Sequence, residues 1–439
     1  MGNYIPNTPA EQQEMLKECG YSGFDDLYRD IPESVLLKEP LDIPAANSEV
    51  SVRRIIEDMA EKNVVYRHIF RGAGAYNHYI PAIVNTIADK EEFRTAYTPY
   101  QAEISQGVLQ TIFEYQTDIC ELTGMDASNA SVYDGAVAAA EACEMCRDRK
   151  RSTILVSGTV DPKTVSVVKT YSFGRDVKVI LVPEKDGVTD LAALKELLTP
   201  DVSCLLIQHP NYYGNLEPME EAVEAVHASG AKLIESVNPV SMAVLKTPGE
   251  YGADIAVGEG QPLGMPLSFG GPYLGFMATG HKMMRKLPGR IVGQTVDCDG
   301  NRTFVLTLQA REQHIRREKA SSNICSNEAL CALRAAAYLA AMGPDGFYET
   351  AVQCSSKAHY LQEKLAEAGL PPVWPDQEFF HEFVTACPDP AKVLGALASE
   401  GILGGLPLPG GRILWCATEM NTKEEMDRAA AIVKEVTGA

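Results

Sequence analysis

The sequence lacks any long apolar run, and this absence argues against a membrane-spanning protein. The longest apolar stretches, such as residues 335–342, are much shorter than the roughly 20 residues that a helix needs to cross a bilayer. Residues 1–6 contain neither a basic group nor an apolar core, so we expect no secretory signal. Together these absences predict a cytoplasmic protein.

Basic residues are also scarce. The chain has 39 Lys and Arg against 59 Asp and Glu, a formal charge of −20. A surface with this balance repels phosphate backbones and anionic lipid headgroups. The charge therefore argues against nucleic acid and against a membrane as partners.

Cysteines do not form a paired framework. There are 11 of them, an odd number, and they are scattered along the chain, which indicates reduced thiols. Cys143 and Cys146 are the only close pair, and no second ligand pair accompanies them. We therefore predict no metal site.

Short apolar runs alternate with amphipathic ones in the middle of the 439-residue chain. The predicted strands are residues 153–157, 177–183, 203–208, 231–236, 254–258 and 273–278. The predicted helices between them are residues 136–149, 162–173, 190–198 and 218–229. This alternation predicts an α/β domain with a mostly parallel sheet and helices on both faces. Only a glycine-rich turn precedes the last strand, so it is predicted to be antiparallel.

Different patterns flank this domain. Thr8 and Pro9 indicate a helix start, and Gly20 indicates its end. A second predicted helix spans residues 50–63, and an irregular loop follows at residues 70–81. The predicted elements after the large domain are helices 326–342, 347–368, 390–400 and 422–436 and strands 380–386 and 412–418. The predicted domains are an N-terminal helical arm and loop (1–95), a large α/β domain (96–325), and a connecting helix with a small C-terminal α+β domain (326–439).

Ligands in such sheets bind at the carboxyl ends of the strands, and three acidic or amide side chains fall there. Asp134 opens a helix, where it either borders an anion site or caps the helix itself. Glu235 comes near the end of a strand, where it either pairs with a protonated heterocycle or caps the next turn. Gln261 follows another strand in a glycine-rich segment that contains no amine. The chain thus shows no obvious covalent or acid–base centre.

Residues 311–319 reverse the sign of the chain locally, with four basic and two acidic residues. One interpretation is a solvated helix with a Glu312–Arg316 pair at i,i+4. The other is an anion-facing wall, in which arginines bind carboxylate or phosphate. His314 lies within this segment, where it has either a structural or a catalytic role.

Several segments together resemble one family. They are residues 4–9, 97–107 with its continuation to 126, 258–276, and 311–319 with the Ser-Asn-Ile-Cys run at 322–325. In this order and spacing they are similar to the first (α) subunits of the glycine cleavage system P-protein family. Ala310 is a small departure, because threonine is expected there.

The resemblance implies a fold-type-I pyridoxal-phosphate architecture and an enzyme divided between two subunits. In the related β subunit a lysine carries the cofactor as a Schiff base, and Gln261 stands at that position here. Glu235 falls near the family's pyridine-pairing aspartate, and Asp134 falls in its phosphate loop. The implied cofactor, pyridoxal phosphate, is therefore expected on the partner β subunit rather than on this chain.

The implied reaction is the decarboxylation of glycine and transfer of the aminomethyl group to the lipoyl arm of H-protein. This chain, expected to be inactive alone, would complete the interface and the lipoyl channel of an αβ or α2β2 assembly. Charge and loop composition suggest the channel or interface residues Asn77, His78, Arg311, His314, Arg316, Arg317 and Lys319.

Two alternatives remain open. A self-sufficient, aminotransferase-like homodimer would use Lys246 or Lys282 to hold the cofactor. A non-catalytic scaffold subunit would carry only a vestigial site.

Overall fold

A computed structural model describes residues 6–39, 41–324 and 326–439. It divides into two compact units, residues 6–65 and 66–439, which are described separately. The predicted division at residues 95 and 325 stays a prediction. In the described part of the chain, no helix combines the length and the apolar character that crossing a membrane requires.

The helices and strands are numbered in chain order. The helices are α1 Pro9–Glu18, α2 Glu49–Ala60, α3 Ala82–Ala88, α4 Glu91–Arg94, α5 Gln106–Thr123, α6 Gly135–Cys146, α7 Pro162–Phe173, α8 Leu191–Leu197, α9 Met219–Ser229, α10 Pro248–Tyr251, α11 Gln313–Arg316, α12 Ala329–Glu367, α13 Pro390–Ser399 and α14 Lys423–Thr437. The strands are β1 His68–Ile69, β2 Ala127–Ser128, β3 Thr153–Ser157, β4 Val179–Val182, β5 Glu184–Lys185, β6 Val188–Thr189, β7 Val202–His209, β8 Lys232–Val237, β9 Ile255–Glu259, β10 Gly275–Thr279, β11 Ile291–Val296, β12 Arg302–Thr307, β13 Glu382–Ala386, β14 Ile402–Leu403, β15 Leu406–Leu408 and β16 Arg412–Cys416.

The N-terminal unit contains α1 and α2. Thr8 and Glu11 form a reciprocal capping box at the start of α1, with Pro9 in the first turn as the sequence predicts. Gly20 follows the helix in a left-handed conformation, which also confirms the predicted end. α2 carries an apolar stripe, and none of its residues is buried within the N-terminal unit.

A seven-stranded sheet forms the centre of the second unit, in the order β2-β10-β9-β8-β7-β3-β4. The central strands β9, β8, β7, β3 and β4 are mutually parallel, and β10 runs antiparallel beside β9. These strands lie where the sequence predicts them, and the antiparallel strand is confirmed.

Alternate side chains of the sheet face two separate cores, which confirms helices on both faces. One core contains Leu206 and Ile234 together with α6 residues, and the other contains Leu205 and Leu233 together with α9 residues. Since successive side chains of a strand point to opposite faces, this alternation is the expected signature of a covered sheet.

The C-terminal part follows the long helix α12. The helix is interrupted at Gly343, which has φ 63° and ψ 178° and precedes Pro344, so the two predicted helices meet at a kink. An antiparallel sheet, β13-β16-β15, follows, and β1 pairs in parallel with β14. β1 and β14 form a separate two-stranded sheet, which ties the segment after residue 66 to the C-terminal part of the chain.

Candidate functional site

A cavity of about 430 Å³ lies at the carboxyl ends of the parallel strands. Its walls come from the loop 73–76, the first turns of α6 and α7, the ends of β7, β8 and β9, and the start of β13. This is the edge of the sheet at which α/β proteins bind ligands. Asp134, which the sequence analysis singled out, lines this cavity, whereas several other lining residues were not foreseen.

Two carboxylates occupy the N-terminus of α6. Asp134 caps the helix by accepting a hydrogen bond from Val137 N at 2.7 Å, as one of the two sequence interpretations predicts. Glu259, at the end of β9, accepts a hydrogen bond from Gly135 N at 3.0 Å. Gly135 permits this approach, because a Cβ there would lie 2.9 Å from Glu259 N. Burial raises the pKa of Glu259 to about 7.

This arrangement changes the chemistry of the helix terminus. The free N–H groups of a helix start ordinarily attract phosphate. Here the amides of Gly135 and Val137 already donate to carboxylates, and Asp134 and Glu259 would repel an incoming dianion. The α6 terminus is therefore unsuited to a phosphate group.

Gln261 is completely buried and fully hydrogen-bonded. Its Oε1 accepts from Tyr76 N at 2.8 Å, and its Nε2 donates to Tyr76 O at 2.9 Å and to Met265 O at 2.7 Å. The side chain thus fixes the loop 73–76 and presents no nucleophile to the cavity. An amide at this position cannot form the covalent bond that a lysine would form.

Two further acids, Asp161 and Glu382, line the cavity. Glu382 is buried and accepts hydrogen bonds from Ala73 N at 2.7 Å and from Tyr76 OH at 2.8 Å. Burial raises the pKa of Glu382 to about 7, and burial also raises the pKa of Asp161. Among the described lining residues, Lys163 is the single lysine.

His381 adds a neutral imidazole to this wall. It is fully enclosed, and burial lowers its pKa well below the ordinary value. Its Nε2 lies 3.3 Å from the amide nitrogen of Asn238, which follows β8. His381 therefore contributes no positive charge that could balance the acids.

Glu235 does not line the cavity, although its strand neighbours Ser236 and Val237 do. It has no exposed surface, and neither carboxylate oxygen has a hydrogen-bond partner. Burial raises its pKa to about 8. Glu235 therefore caps no turn, and the cavity is bordered by residues 236–238 instead.

Asn77 and His78 lie beside Thr418 and Glu419 rather than in the cavity wall. The backbone oxygen of Asn77 accepts from Thr418 Oγ1 at 2.7 Å. His78 is buried, with Nδ1 2.8 Å from Glu419 Oε2, which also accepts from Cys354 Sγ at 3.3 Å. These three side chains are the one group in the described residues whose ligand atoms are close enough for a metal ion, lying within 4.8 Å of one another.

Residues 311–319 do not form the continuous solvated helix that the first of the two interpretations predicts. They form a 3₁₀ turn, one α-helical turn (α11) and a second 3₁₀ turn, and Arg317 has φ 55° between the last two. Arg316 Nε donates to Ala310 O at 3.0 Å instead of pairing with Glu312, which lies 3.4 Å from His314 Nδ1. The left-handed residue Arg317 breaks the 3.6-residue periodicity that suggested a helix.

The basic side chains of this segment stay outside the cavity wall. His314, Arg316, Arg317 and Lys319 are exposed, whereas Arg311 is half-buried and donates from Nη2 to Gly289 O at 2.8 Å. These basic residues thus share one short segment, most of it exposed. Among the described residues, none of them forms a hydrogen bond or ion pair with Asn77 or His78, which contact Thr418 and Glu419.

The two lysines of the alternative interpretation also lie elsewhere. Lys246 is exposed and pairs with Glu220 at 2.7 Å, and Lys282 is exposed in the segment that follows strand β10. Neither lines the cavity. An amine inside the site would have to be Lys163, which sequence reasoning missed.

The missed lining residues had only weak sequence signals. Asp161 precedes Pro162 and caps α7 through Lys163 N, so the pair reads as an ordinary helix start. Glu259 ends a strand two residues before Gln261, and this proximity could have suggested it. His381 and Glu382 come from another sheet, and their approach depends on tertiary packing.

These residues do not fit pyridoxal phosphate. The Schiff-base lysine is replaced by Gln261, which is saturated with hydrogen bonds. The α6 terminus is occupied by carboxylates, and Glu235 is withdrawn from the cavity. The described residues at the expected positions therefore provide no amine for a Schiff base, no free helix N-terminus for the phosphate, and no acid in the cavity wall at position 235 for the pyridine nitrogen.

Comparison with known proteins identifies relatives along the whole chain. The model of the glycine cleavage system P-protein family matches residues 2–433. The chain is 52% identical over 444 residues to a probable glycine dehydrogenase (decarboxylating) subunit 1 from Moorella thermoacetica, covering 99% of each chain. A protein of the same name from Carboxydothermus hydrogenoformans is 49% identical, with 98% and 99% covered.

Similarity to solved structures supports the same family. A crystal structure of glycine decarboxylase, the P-protein of the glycine cleavage system, in inhibitor-bound form, superimposes with a TM-score of 0.92 at 43% identity, covering 99% of this chain and all of that one. A cysteine desulfurase from Thermococcus onnurineus NA1 gives a TM-score of 0.64 at 14% identity over 90% of this chain and all of that one, and it supports the fold alone. The fold is that of the fold-type-I pyridoxal-phosphate enzymes, as predicted. The chain belongs to the glycine cleavage system P-protein family.

Proposed function

We propose that this chain is the cofactor-free subunit of a glycine-decarboxylating enzyme. With a partner subunit it would release carbon dioxide from glycine and pass the aminomethyl group to the lipoyl arm of H-protein. Pyridoxal phosphate, which supplies the electron sink for such decarboxylations, would be held by the partner. The relatives' name, subunit 1, supports a second subunit.

The occupied α6 terminus carries this proposal. Asp134 and Glu259 use the helix amides that a phosphate would need, and Gln261 replaces the amine. Four carboxylates face the cavity: Asp134, Asp161, Glu259 and Glu382. An anionic cofactor would meet repulsion on several sides and a single lysine, so binding by the partner is favoured.

The role of this chain would then be structural support and access. α2 leaves its apolar stripe unburied within the N-terminal unit, a surface suited to a partner subunit. The basic surface formed by Arg311, His314, Arg316, Arg317 and Lys319 would form part of the channel or interface. Asn77 and His78, held by Thr418 and Glu419, would position the preceding loop 73–76 at the acidic cavity. A cytoplasmic location is part of the same proposal.

Borohydride reduction with pyridoxal phosphate tests where the cofactor binds. The full chain alone is reduced and analysed by intact mass and peptide mapping, with the partner subunit as the positive control. We expect a stoichiometric adduct on the partner and none on this chain. A stoichiometric adduct at Lys163, Lys246 or Lys282 would contradict the proposal and favour a self-sufficient enzyme.

Alanine variants test the channel in the assembled complex. We expect His314→Ala and Arg317→Ala to slow the exchange of glycine carboxyl with bicarbonate by about tenfold, the loss typical of one charge-assisted contact. Lys282→Ala, which removes an exposed cation elsewhere, is the matched control. Unchanged exchange in correctly assembled variants would favour the scaffold interpretation.

A further inference from the structure

Arg290 is a buried cation with an incomplete set of partners. Only 1% of its surface is exposed, and its Nε and Nη1 atoms are buried without hydrogen-bond partners. Its Nη2 donates to Tyr100 OH at 3.0 Å, and its guanidinium lies 5.2 Å from the centre of the Tyr100 ring. Arg290 precedes β11 directly, so its backbone position is fixed by the sheet.

A second arginine lies next to it. Arg311 Nη2 donates to the carbonyl of Gly289, the residue bonded to Arg290, at 2.8 Å. The Nε atom of Arg311 is also buried without a partner. In the part of the chain that the structure describes, no carboxylate lies within 4.0 Å of either guanidinium. The neighbouring Glu312 contacts His314 instead.

Two neighbouring arginines that form no ion pair with a carboxylate are unusual in a chain with 59 acidic residues. Burying a charge is unfavourable unless an opposite charge and hydrogen bonds compensate for it. The guanidinium fork matches the geometry of carboxylate and phosphate groups. The missing partners therefore share the chemistry of an oxyanion.

The geometry points to a binding site for a small oxyanion, a carboxylate or phosphate group, at the unpartnered Nε and Nη1 atoms of Arg290, beside Arg311. Tyr100 forms its cover, because the ring lies over Arg290 while 60% of the residue is exposed. Tyr100 belongs to the irregular stretch before α5, where a side chain can move aside without breaking a helix or strand.

A small ligand fits this site better than a protein side chain. The guanidinium of Arg290 is sealed from the surface, so a bulky partner could not reach it without unfolding β11. The exposed cations Arg316, Arg317 and Lys319 follow Arg311 in the chain and would raise the local concentration of anions. This site is separate from the acidic cavity, and it does not depend on which subunit holds the cofactor.

Calorimetric titration of the full chain tests the site. Inorganic phosphate, sulfate and acetate are compared with chloride at constant ionic strength. We expect saturable binding of at least one oxyanion near one equivalent, with binding of chloride much weaker. Arg311→Gln should weaken it by about tenfold or more, since it removes a charge-assisted contact. Arg302→Gln, an exposed arginine on the adjoining strand β12, is the matched control and should leave affinity unchanged.

Arg290→Met should abolish binding, but a buried substitution can also disturb folding. Modification of the unmutated chain with phenylglyoxal avoids this difficulty. Phosphate, or acetate where the titration selects carboxylates, should protect the half-buried Arg311 from the reagent while Arg302 stays reactive, as mapped by mass spectrometry. Preference for phosphate or for acetate identifies the oxyanion class, and either supports the site. Equal behaviour of chloride and all oxyanions, or equal weakening by Arg302→Gln, would overturn it.

Discussion

The side-chain amide of Gln261 forms hydrogen bonds with both the backbone N–H and the backbone carbonyl of Tyr76. Its Oε1 accepts from Tyr76 N at 2.8 Å, and its Nε2 donates to Tyr76 O at 2.9 Å. A primary amide can satisfy an N–H and a carbonyl at once, whereas a lysine has donors only. Gln261, which replaces the expected lysine, therefore has a structural role: it fixes the loop 73–76 beside the cavity.

Gln261→Met is expected to destabilise the protein by about 2–5 kcal/mol. The methionine fills a similar volume but leaves buried backbone groups of Tyr76 and Met265 without partners. Urea unfolding measures the change. Gln313→Met, at an exposed position, is the control and should change stability by less than about 0.5 kcal/mol. Equal stability of the two variants would show that the amide contacts are unimportant.

Glu235→Gln is expected to stabilise the protein at high pH. Burial raises the pKa of Glu235 from 4.5 to about 8, so the folded protein keeps a proton that the unfolded chain loses. The raised pKa therefore lowers the free energy of unfolding. This penalty is absent below about pH 4.5, grows as pH rises, and is complete above about pH 8, where it amounts to at most about 5 kcal/mol. The glutamine removes the ionisable group and therefore the penalty.

The measurement is urea unfolding of Glu235→Gln and wild type between pH 5 and pH 9. The advantage of the variant should be small at pH 5 and should increase with pH. Glu224→Gln, an exposed residue on α9, is the control and should show no such trend. A constant difference across this range would contradict a raised pKa.

The fold was more accessible to sequence reasoning than the site. The strands β3, β4, β7, β8, β9 and β10 are short apolar runs whose alternation with helices is a local property of the chain. The capping role of Asp134 was also among the predictions, since a helix cap depends only on residues that are close together in the sequence. Glu382 was not, because β13 reaches the cavity only through tertiary packing. Residues 311–319 misled for a local reason, the left-handed conformation of Arg317.

Tyr76 and Glu382 are expected to be energetically coupled. Tyr76 OH donates to Glu382 Oε2 at 2.8 Å in a buried setting, where hydrogen bonds to charged or polar partners count most. A double-mutant cycle with Tyr76→Phe and Glu382→Gln should give a coupling energy of about 1–2 kcal/mol. The cycle is measured by urea unfolding at pH 8, where Glu382 is largely ionised.

A distant pair serves as the control for this cycle. Tyr76→Phe combined with Glu224→Gln should be additive within about 0.5 kcal/mol, because Glu224 is exposed on α9 and shares no partner with Tyr76. Additivity of the Tyr76 and Glu382 variants as well would mean that their contact does not hold the loop 73–76.

Arg317→Gly is expected to raise stability and lower activity together. Arg317 has φ 55° and ψ −126°, a conformation that glycine adopts freely and that strains other residues. Relief of this strain should stabilise the chain by about 0.5–2 kcal/mol, as measured by thermal unfolding. Arg316→Gly, at an ordinary helical residue with φ −81°, is the control and should destabilise it by about 1 kcal/mol. Strained residues are retained where function needs them, so in the assembled complex Arg317→Gly should slow glycine carboxyl exchange. A variant that is more stable and equally active would show that the strain at Arg317 has no part in the reaction.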